Sequence, residues 1–300
     1  MEYYSDKEVG PKPRKEEKIS PTAWGGIVAL IQSLISTGAF GYSYPEICQE
    51  GTVTVGTDVH GFSLALKAEI PDIEWPFETS KRVVGGYPQL KEPYAPNTLS
   101  ILDLIQFSYK AVANPIQGKY HDYHSHYHLS FDEQAGKRDF IIKINSIFSR
   151  NGIVYQLNPG GSIERLAPPV IRETLAKSIF NTGDLTLDEM LEDSRKKFFD
   201  PDPIIRKEAI ERLWDCWERI KTLEIPADKK ASTKSLLDKA AKNSDVRELL
   251  EKEAKELTDI GNSFHIRHSE VSKTAITDSD FIDYLFHRLF SIIQYLLKKR

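Results

Sequence analysis

The stretch Ile153-Val-Tyr-Gln-Leu-Asn-Pro-Gly-Gly-Ser-Ile-Glu-Arg-Leu166 decides the fold class. Two short runs rich in β-branched and aromatic residues flank Asn158-Pro-Gly-Gly161, whose turn chemistry predicts a β-hairpin with strands over 153–157 and 162–166. Beyond it the pattern becomes helical. Ile205 to Leu223 carries Ala209, Ile210, Leu213, Trp217 and Ile220 at helical spacing and ends before Pro226. Helices are also predicted over 171–180 and 187–199, with a polar helix or linker from Asp228 to Lys242. Ser244 is read as the cap of a further helix, interrupted at Gly261. Thr277-Asp-Ser-Asp280 has the form of a capping box and opens a last helix striped by Phe281, Tyr284, Leu285, Leu289, Ile292, Ile293 and Leu296. Strands followed by helices alone make an α+β chain: an N-terminal α/β module with a small sheet, then an all-α bundle.

Upstream, residues 1–20 mix charges with Pro11, Pro13 and Gly10 and read as a flexible leader. Ser20 and Pro21 suit the cap and first position of a buried helix running to Thr37 and stopping at Gly38. Thr52–Val55 and Phe62–Ile70 look like strands about a turn at Gly56-Thr57-Asp58; the alternation Phe62, Leu64, Leu66, Ala68, Ile70 supports the second, although a helix also fits it. Residues 76–97 read as loop, 98–112 as helix, Tyr123–Phe131 as strand, Glu133–Lys137 as turn and Arg138–Arg150 as helix. The expected organisation is a leader over 1–20, a sensing or regulatory module over 21–170 and a helical domain over 171–300.

Composition bounds the function. The 300 residues are 40% hydrophobic and 28% charged, a globular profile, with no apolar run of membrane-spanning length. A formal charge of −4 excludes a strongly basic nucleic-acid coat but not a local basic or histidine-rich site. Two distant cysteines, Cys48 and Cys216, and no apolar leader point to a reducing cytoplasm rather than a disulfide framework. Cys216 reads as a buried helix residue, and Trp214 and Trp217 as bundle packing. The last helix is apolar on more than one side, at Phe286, Leu289, Phe290, Ile292, Ile293, Tyr295, Leu296 and Leu297. That excess calls for cover, from the N-terminal helix or from a second protomer, and a homodimer through the C-terminal bundle is expected.

Two constellations could carry chemistry. Tyr120-His-Asp-Tyr-His-Ser-His-Tyr-His128 holds four of the eight histidines. On a strand, His124, His126 and His128 share one face. They suit contact with RNA phosphate or a partner; the plain alternative is a strand whose histidines hydrogen-bond within the fold. Zinc ligation is a further alternative, with Asp122 or Asp132 as oxygen donor, but no HxxE or CxxC completes a zinc pattern. The reading therefore assigns no metal and no cofactor. The second constellation is Ile260-Gly-Asn-Ser-Phe-His-Ile-Arg-His-Ser-Glu270, between two amphipathic helices. Arg267 offers a two-pronged donor for a phosphate, and His265 and His268 titrate near neutrality. Phosphodiester cleavage needs such a set: a base for the 2′-hydroxyl, an acid for the leaving oxygen and a cation for the charge that develops. Asn262 and Glu270 would orient them. The plain alternative is a polar loop between helices.

The segments Asp200–Thr222, Leu257–Glu270 and Asp283–Phe290 resemble the C-terminal part of bacterial AbiJ-type abortive-infection proteins. Ala39–Cys48 and Phe140–Gly152 resemble the N-terminal module of such proteins. The resemblance implies antiphage defence and a C-terminal domain of HEPN type, an all-helical bundle often acting as a dimeric, metal-independent endoribonuclease toxin. The usual HEPN motif places an arginine four to six positions before the histidine. Here Arg267 and His268 are adjacent, and only the Asn262-to-His268 interval keeps the polar-to-histidine spacing. The expected function is RNA cleavage or RNA binding by that domain. The alternative is a non-catalytic defence protein that binds a partner protein or nucleic acid.

Overall fold

The computed structural model describes residues 3–300 except 11, 83–89, 167–174, 176, 177, 265 and 267–275. The chain divides into two compact units, residues 1–166 and 167–300. It is α+β: every paired hairpin among the described residues lies in the first unit, and the second is helical.

In the first unit, helix α1 spans Tyr4–Val9 and α2 Pro21–Ser36. The Ser20 hydroxyl accepts from Ala23 N at 3.3 Å, so α2 starts where the Ser-Pro pair predicts. Its inner side carries Trp24, Ile27, Val28 and Ile31 into a core completed by Phe40, Phe62, Leu104, Phe140 and Phe148. Strands β1 (Pro45–Ile47) and β2 (Thr54–Thr57) pair antiparallel, as do β3 (Ser80–Arg82) and β4 (Lys91–Pro93). The latter pair lies in a stretch expected to be loop. Residues 59–69 form helix α3 (Val59–Glu69), which corrects the strand expected over 62–70. The Asp58 carboxylate caps it, accepting from His60 N and Gly61 N at 3.0 Å each. Burial decides between the two readings: Phe62 and Leu66, one helical turn apart, are at 0% exposure, whereas Leu64, on the same face of any strand, is 56% exposed.

Helix α4 (Thr98–Ala111) is followed by β5 (Asn114–His121) and β6 (His126–Asp132), then α5 (Glu133–Arg150). Strand β5 had no sequence signal, since Pro115 and Gly118 break any alternation. The turn expected at Glu133–Lys137 is instead the first turn of α5, capped by the Asp132 carboxylate on Ala135 N at 2.9 Å. Gly136 permits this: a Cβ there would lie 2.4 Å from the backbone of Ala113 and Asn114. Strands β7 (Tyr155–Leu157) and β8 (Ile163–Arg165) form the hairpin the sequence predicts. Asn145 of α5 binds both N and O of Leu157, at 2.8 and 2.9 Å. The leader expected to be flexible is tied to this hairpin. Val154 N donates to Glu16 O at 3.0 Å, Arg14 Nε to Ile153 O at 2.7 Å, and buried Arg165 pairs with Glu17 at 2.7 Å. Its anchors are polar, so an apolar count could not find them.

The second unit contains α6 (Leu185–Phe198), α7 (Pro203–Ile220), α8 (Lys229–Ala240), α9 (Ser244–Ser263) and α10 (Ser279–Lys299). The helix expected over 171–180 falls largely outside the described residues. Each of the five opens on an acid or amide cap: Asp184, Asp202, Asp228, Asn243 and Asp278. The caps expected at Ser244 and Thr277 are thus each displaced by one residue. Gly261 does not interrupt α9; it makes room for the Trp214 ring, whose Nε1 donates to Leu257 O at 3.1 Å. The core collects Phe198, Leu213, Trp214, Trp217, Leu257 and Phe286, the Phe198 and Phe286 rings stacking at 3.9 Å. Fully buried Arg206 ties the start of α7 to that of α10, donating to Pro201 O and Ser279 Oγ at 2.8 Å each. The apolar excess of α10 is covered within its own unit: Phe286, Leu289, Phe290, Ile292, Ile293 and Leu296 are all buried there. The Tyr295 hydroxyl donates to Ala240 O at 3.1 Å. Of the remaining residues in that excess, Leu297 is partly buried and Tyr295 stays 38% exposed. No described helix is long and apolar enough to cross a membrane.

Candidate functional site

The histidine-rich segment folds as the tip of the β5–β6 hairpin. Tyr120 pairs with Tyr127 and His121 with His126, after an irregularity between Gln117 and Tyr120. A single 3-10 turn, Asp122–His124, and Ser125 in the left-handed region (φ 53°) close the tip. His124 therefore leaves the strand, whereas His126 and His128 remain on it with their side chains on one face. All three rings still meet: His124 and His126 stack at 5.7 Å, and His126 and His128 lie 5.8 Å apart. His121, from the opposite strand, sits 4.9–5.5 Å from each of them.

The β1–β2 hairpin brings a second set of groups to this tip, with β2 packed beside β6. Cys48 follows β1, held by its N–H donating to Val53 O at 2.9 Å, and is 4% exposed. Its Sγ lies 3.5 Å from His121 Nδ1. Glu50, two residues on, places one carboxylate oxygen 3.2 Å from His121 Nε2 and the other 3.2 Å from His124 Nε2. These are close contacts without hydrogen-bond alignment, so His124 Nε2 still has no hydrogen-bond partner. The buried His126 and His128 Nε2 atoms have none either. Loss of water pushes the His126 imidazole below its ordinary value, and the neighbouring imidazoles push the same way. A neutral ring keeps a lone pair free. Two donor sets result, each with its ligand atoms within 4.8 Å of one another: Cys48, His121, His126 and His128; and Glu50, His121 and His124. A cavity of about 280 Å³ lined by Cys48, Glu50, Lys119, Tyr120, His121 and His128 opens beside them.

Sequence reasoning placed His124, His126 and His128 together but missed Cys48, Glu50 and the role of His121. Cys48 stands 73 positions from His121, and no short motif links them. Cys216, by contrast, is buried in α7 as expected, and burial pushes its thiol up to about 12.

The second constellation is only partly visible. Asn262 is exposed on the last turn of α9, whereas His265, Arg267, His268 and Glu270 lie outside the described residues. Nearby, α8 and α9 border a groove of about 980 Å³ lined by Lys221, Lys229, Lys230, Lys234, Arg247 and Lys255, with Asp228, Glu251 and Asp259 also on its walls. Lys221 and Lys229 both pair with Glu218, and Arg247 with Asp238 and Glu251. Lys230, Lys234 and Lys255 are exposed and make no ion pair among the described residues.

No curated protein and no solved structure matches the chain. Residues 2–181 match the model of the family described as AbiJ N-terminal domain 4. The match takes in the leader, all four hairpins and the histidine cluster, and reaches the first residues of the helical unit. The chain therefore belongs to the AbiJ N-terminal domain 4 family, that of AbiJ-type abortive-infection proteins.

Proposed function

We propose that this chain is an antiphage protein in which the N-terminal unit regulates and the C-terminal helical unit binds and cuts RNA. Family membership supports the defence role. The observation that carries the RNA half is the groove between α8 and α9, where Lys230, Lys234 and Lys255 make no ion pair among the described residues and basic side chains outnumber the three acidic ones on its walls. Unpaired lysines along a groove suit a phosphate backbone, whose binding is dominated by charge. Cleavage would fall to the segment that follows α9. Arg267 would grip the phosphate, His268 would move the proton with His265, and Asn262 and Glu270 would hold them. The neighbouring 2′-hydroxyl supplies the nucleophile, so no metal need act at the scissile bond. Assembly as a homodimer through the helical unit belongs to this reading on the strength of the family resemblance alone.

The test uses the purified full chain with labelled RNA. The expected result is salt-sensitive binding, weakened at least tenfold by Lys230→Glu, Lys234→Glu and Lys255→Glu together, and cleavage lost in His268→Ala with binding retained. A wild-type chain that neither binds nor cuts RNA would overturn the proposal, as would binding indifferent to the triple change.

A further inference from the structure

We propose that the N-terminal unit holds one zinc ion between its two adjacent hairpins, on Cys48, His121, His126 and His128. The inference is independent of RNA cleavage. Four observations carry it. Donor atoms of all four residues lie within 4.8 Å of one another. Tetrahedral zinc with nitrogen and sulfur ligands needs spacings of about 3.3–3.6 Å, so side-chain rotations that move each donor atom by no more than about 1 Å close the site. Buried His126 Nε2 and His128 Nε2 have no hydrogen-bond partner, an arrangement that folded proteins avoid unless something else takes the lone pair. His121 turns Nδ1 towards Cys48 Sγ at 3.5 Å and Nε2 towards the Glu50 carboxylate at 3.2 Å. A ligating histidine usually donates its second ring N–H to such a carboxylate, and at 3.2 Å Glu50 has the distance for that bond and needs only a change of angle to make it. Lastly, all three residues of β1 are exposed, and so are most of those of β5. Two-stranded ribbons with so little apolar cover are marginal by themselves, and a metal shared between them would fix both.

The donor chemistry selects the ion. One thiolate and three imidazoles suit zinc and exclude magnesium and calcium, which take oxygen ligands. Four protein ligands close the coordination sphere, so the ion is structural and carries no reacting water. Glu50 is a positioning residue that orients His121, and His124 shares its carboxylate from outside the ligand set.

The experiment measures metal content of the full-length chain after expression in zinc-supplemented medium, then replaces the ion with Co²⁺ and records the visible spectrum. The wild type should carry one zinc per chain. With Co²⁺ it should show tetrahedral bands and a thiolate charge-transfer band. Cys48→Ser should remove the charge-transfer band, and His128→Ala should cost at least a hundredfold in affinity by chelator competition. Glu50→Gln should weaken binding by about 10- to 100-fold, and His60→Ala, at an exposed position of α3, should change nothing. A wild type with neither stoichiometric zinc nor a Co²⁺ charge-transfer band would overturn the proposal, whatever the variants do. So would a copper preference, or loss of metal in His124→Ala with retention in His128→Ala.

Discussion

Gly261→Ala offers a test of sign. In an ordinary helix interior alanine is favoured over glycine by about 1 kcal/mol, so propensity alone predicts a more stable protein. The structure predicts the opposite. A Cβ at 261 would lie 2.2 Å from Trp214 Nε1 and 2.4 Å from its Cδ1. The indole is 1% exposed, and its Nε1 donates to Leu257 O, so it cannot retreat without giving up packing and a buried hydrogen bond. Overpacking costs about 1–3 kcal/mol and the hydrogen bond about 1 kcal/mol. Set against the propensity gain, the net loss is about 1–3 kcal/mol, or roughly 5–10 °C in melting temperature for a unit of this size. Urea and thermal unfolding of the full chain, followed by tryptophan fluorescence and circular dichroism, measure it. Trp214→Leu should cancel most of the penalty in a double-mutant cycle. A Gly261→Ala chain as stable as the wild type, or more so, would refute the packing argument for α9.

Other outcomes follow from the same structure. Cys216 should resist iodoacetamide at pH 8 in the native chain and react only on unfolding, because burial holds its thiol near 12; labelling at the denatured rate would contradict its placement. Burial lowers the His287 pKa, so the unfolded chain takes the proton first as pH falls. Stability from this group is complete above the ordinary imidazole value of about 6.5 and declines below it, by at most about 1.4 kcal/mol per pH unit. His287→Leu should flatten that decline between pH 7.5 and 5.5, and an unchanged slope would reject it. Asp184 accepts from Arg219 and from Leu187 N, which holds its carboxyl below the usual range. Its contribution is present above about pH 4 and lost as pH falls through its folded value. Asp184→Ala should cost about 1 kcal/mol at pH 7, mostly as a lost cap, and a denaturant midpoint equal to wild type would show the cap to be idle.

The helices were legible where a cap and a stripe coincide, as at Ser20-Pro21 and along Ala209–Ile220. The 153–166 hairpin was legible because its turn residues admit little else. Residues 62–70 were not, because an apolar residue at every second position fits both periods over so short a span, and only the exposure of Leu64 separates them. Strand β5 has a proline and a glycine where alternation should be, and it takes its place from its partner β6. The histidine cluster was half legible. Three members are neighbours in sequence, but Cys48 and Glu50 arrive from another hairpin through tertiary packing. The apolar wealth of α10 was seen correctly, but the element that covers it could not be read from the helix itself. In the helical unit the polar segment after α9 drew attention by composition, whereas the lysines facing the α8–α9 groove are scattered from Lys221 to Lys255 and form no motif.

The most direct test of the central claim is infection itself. Cells expressing the wild-type chain, His268→Ala, or the Lys230→Glu, Lys234→Glu, Lys255→Glu triple variant are challenged with a panel of phages, and plaque counts and total-RNA integrity are followed together. The account predicts that the wild type lowers plating against at least one phage with RNA broken during infection, and that both variants lose protection and leave RNA intact while accumulating to the same level. Protection that persists undiminished in both variants, with RNA intact throughout, would contradict it.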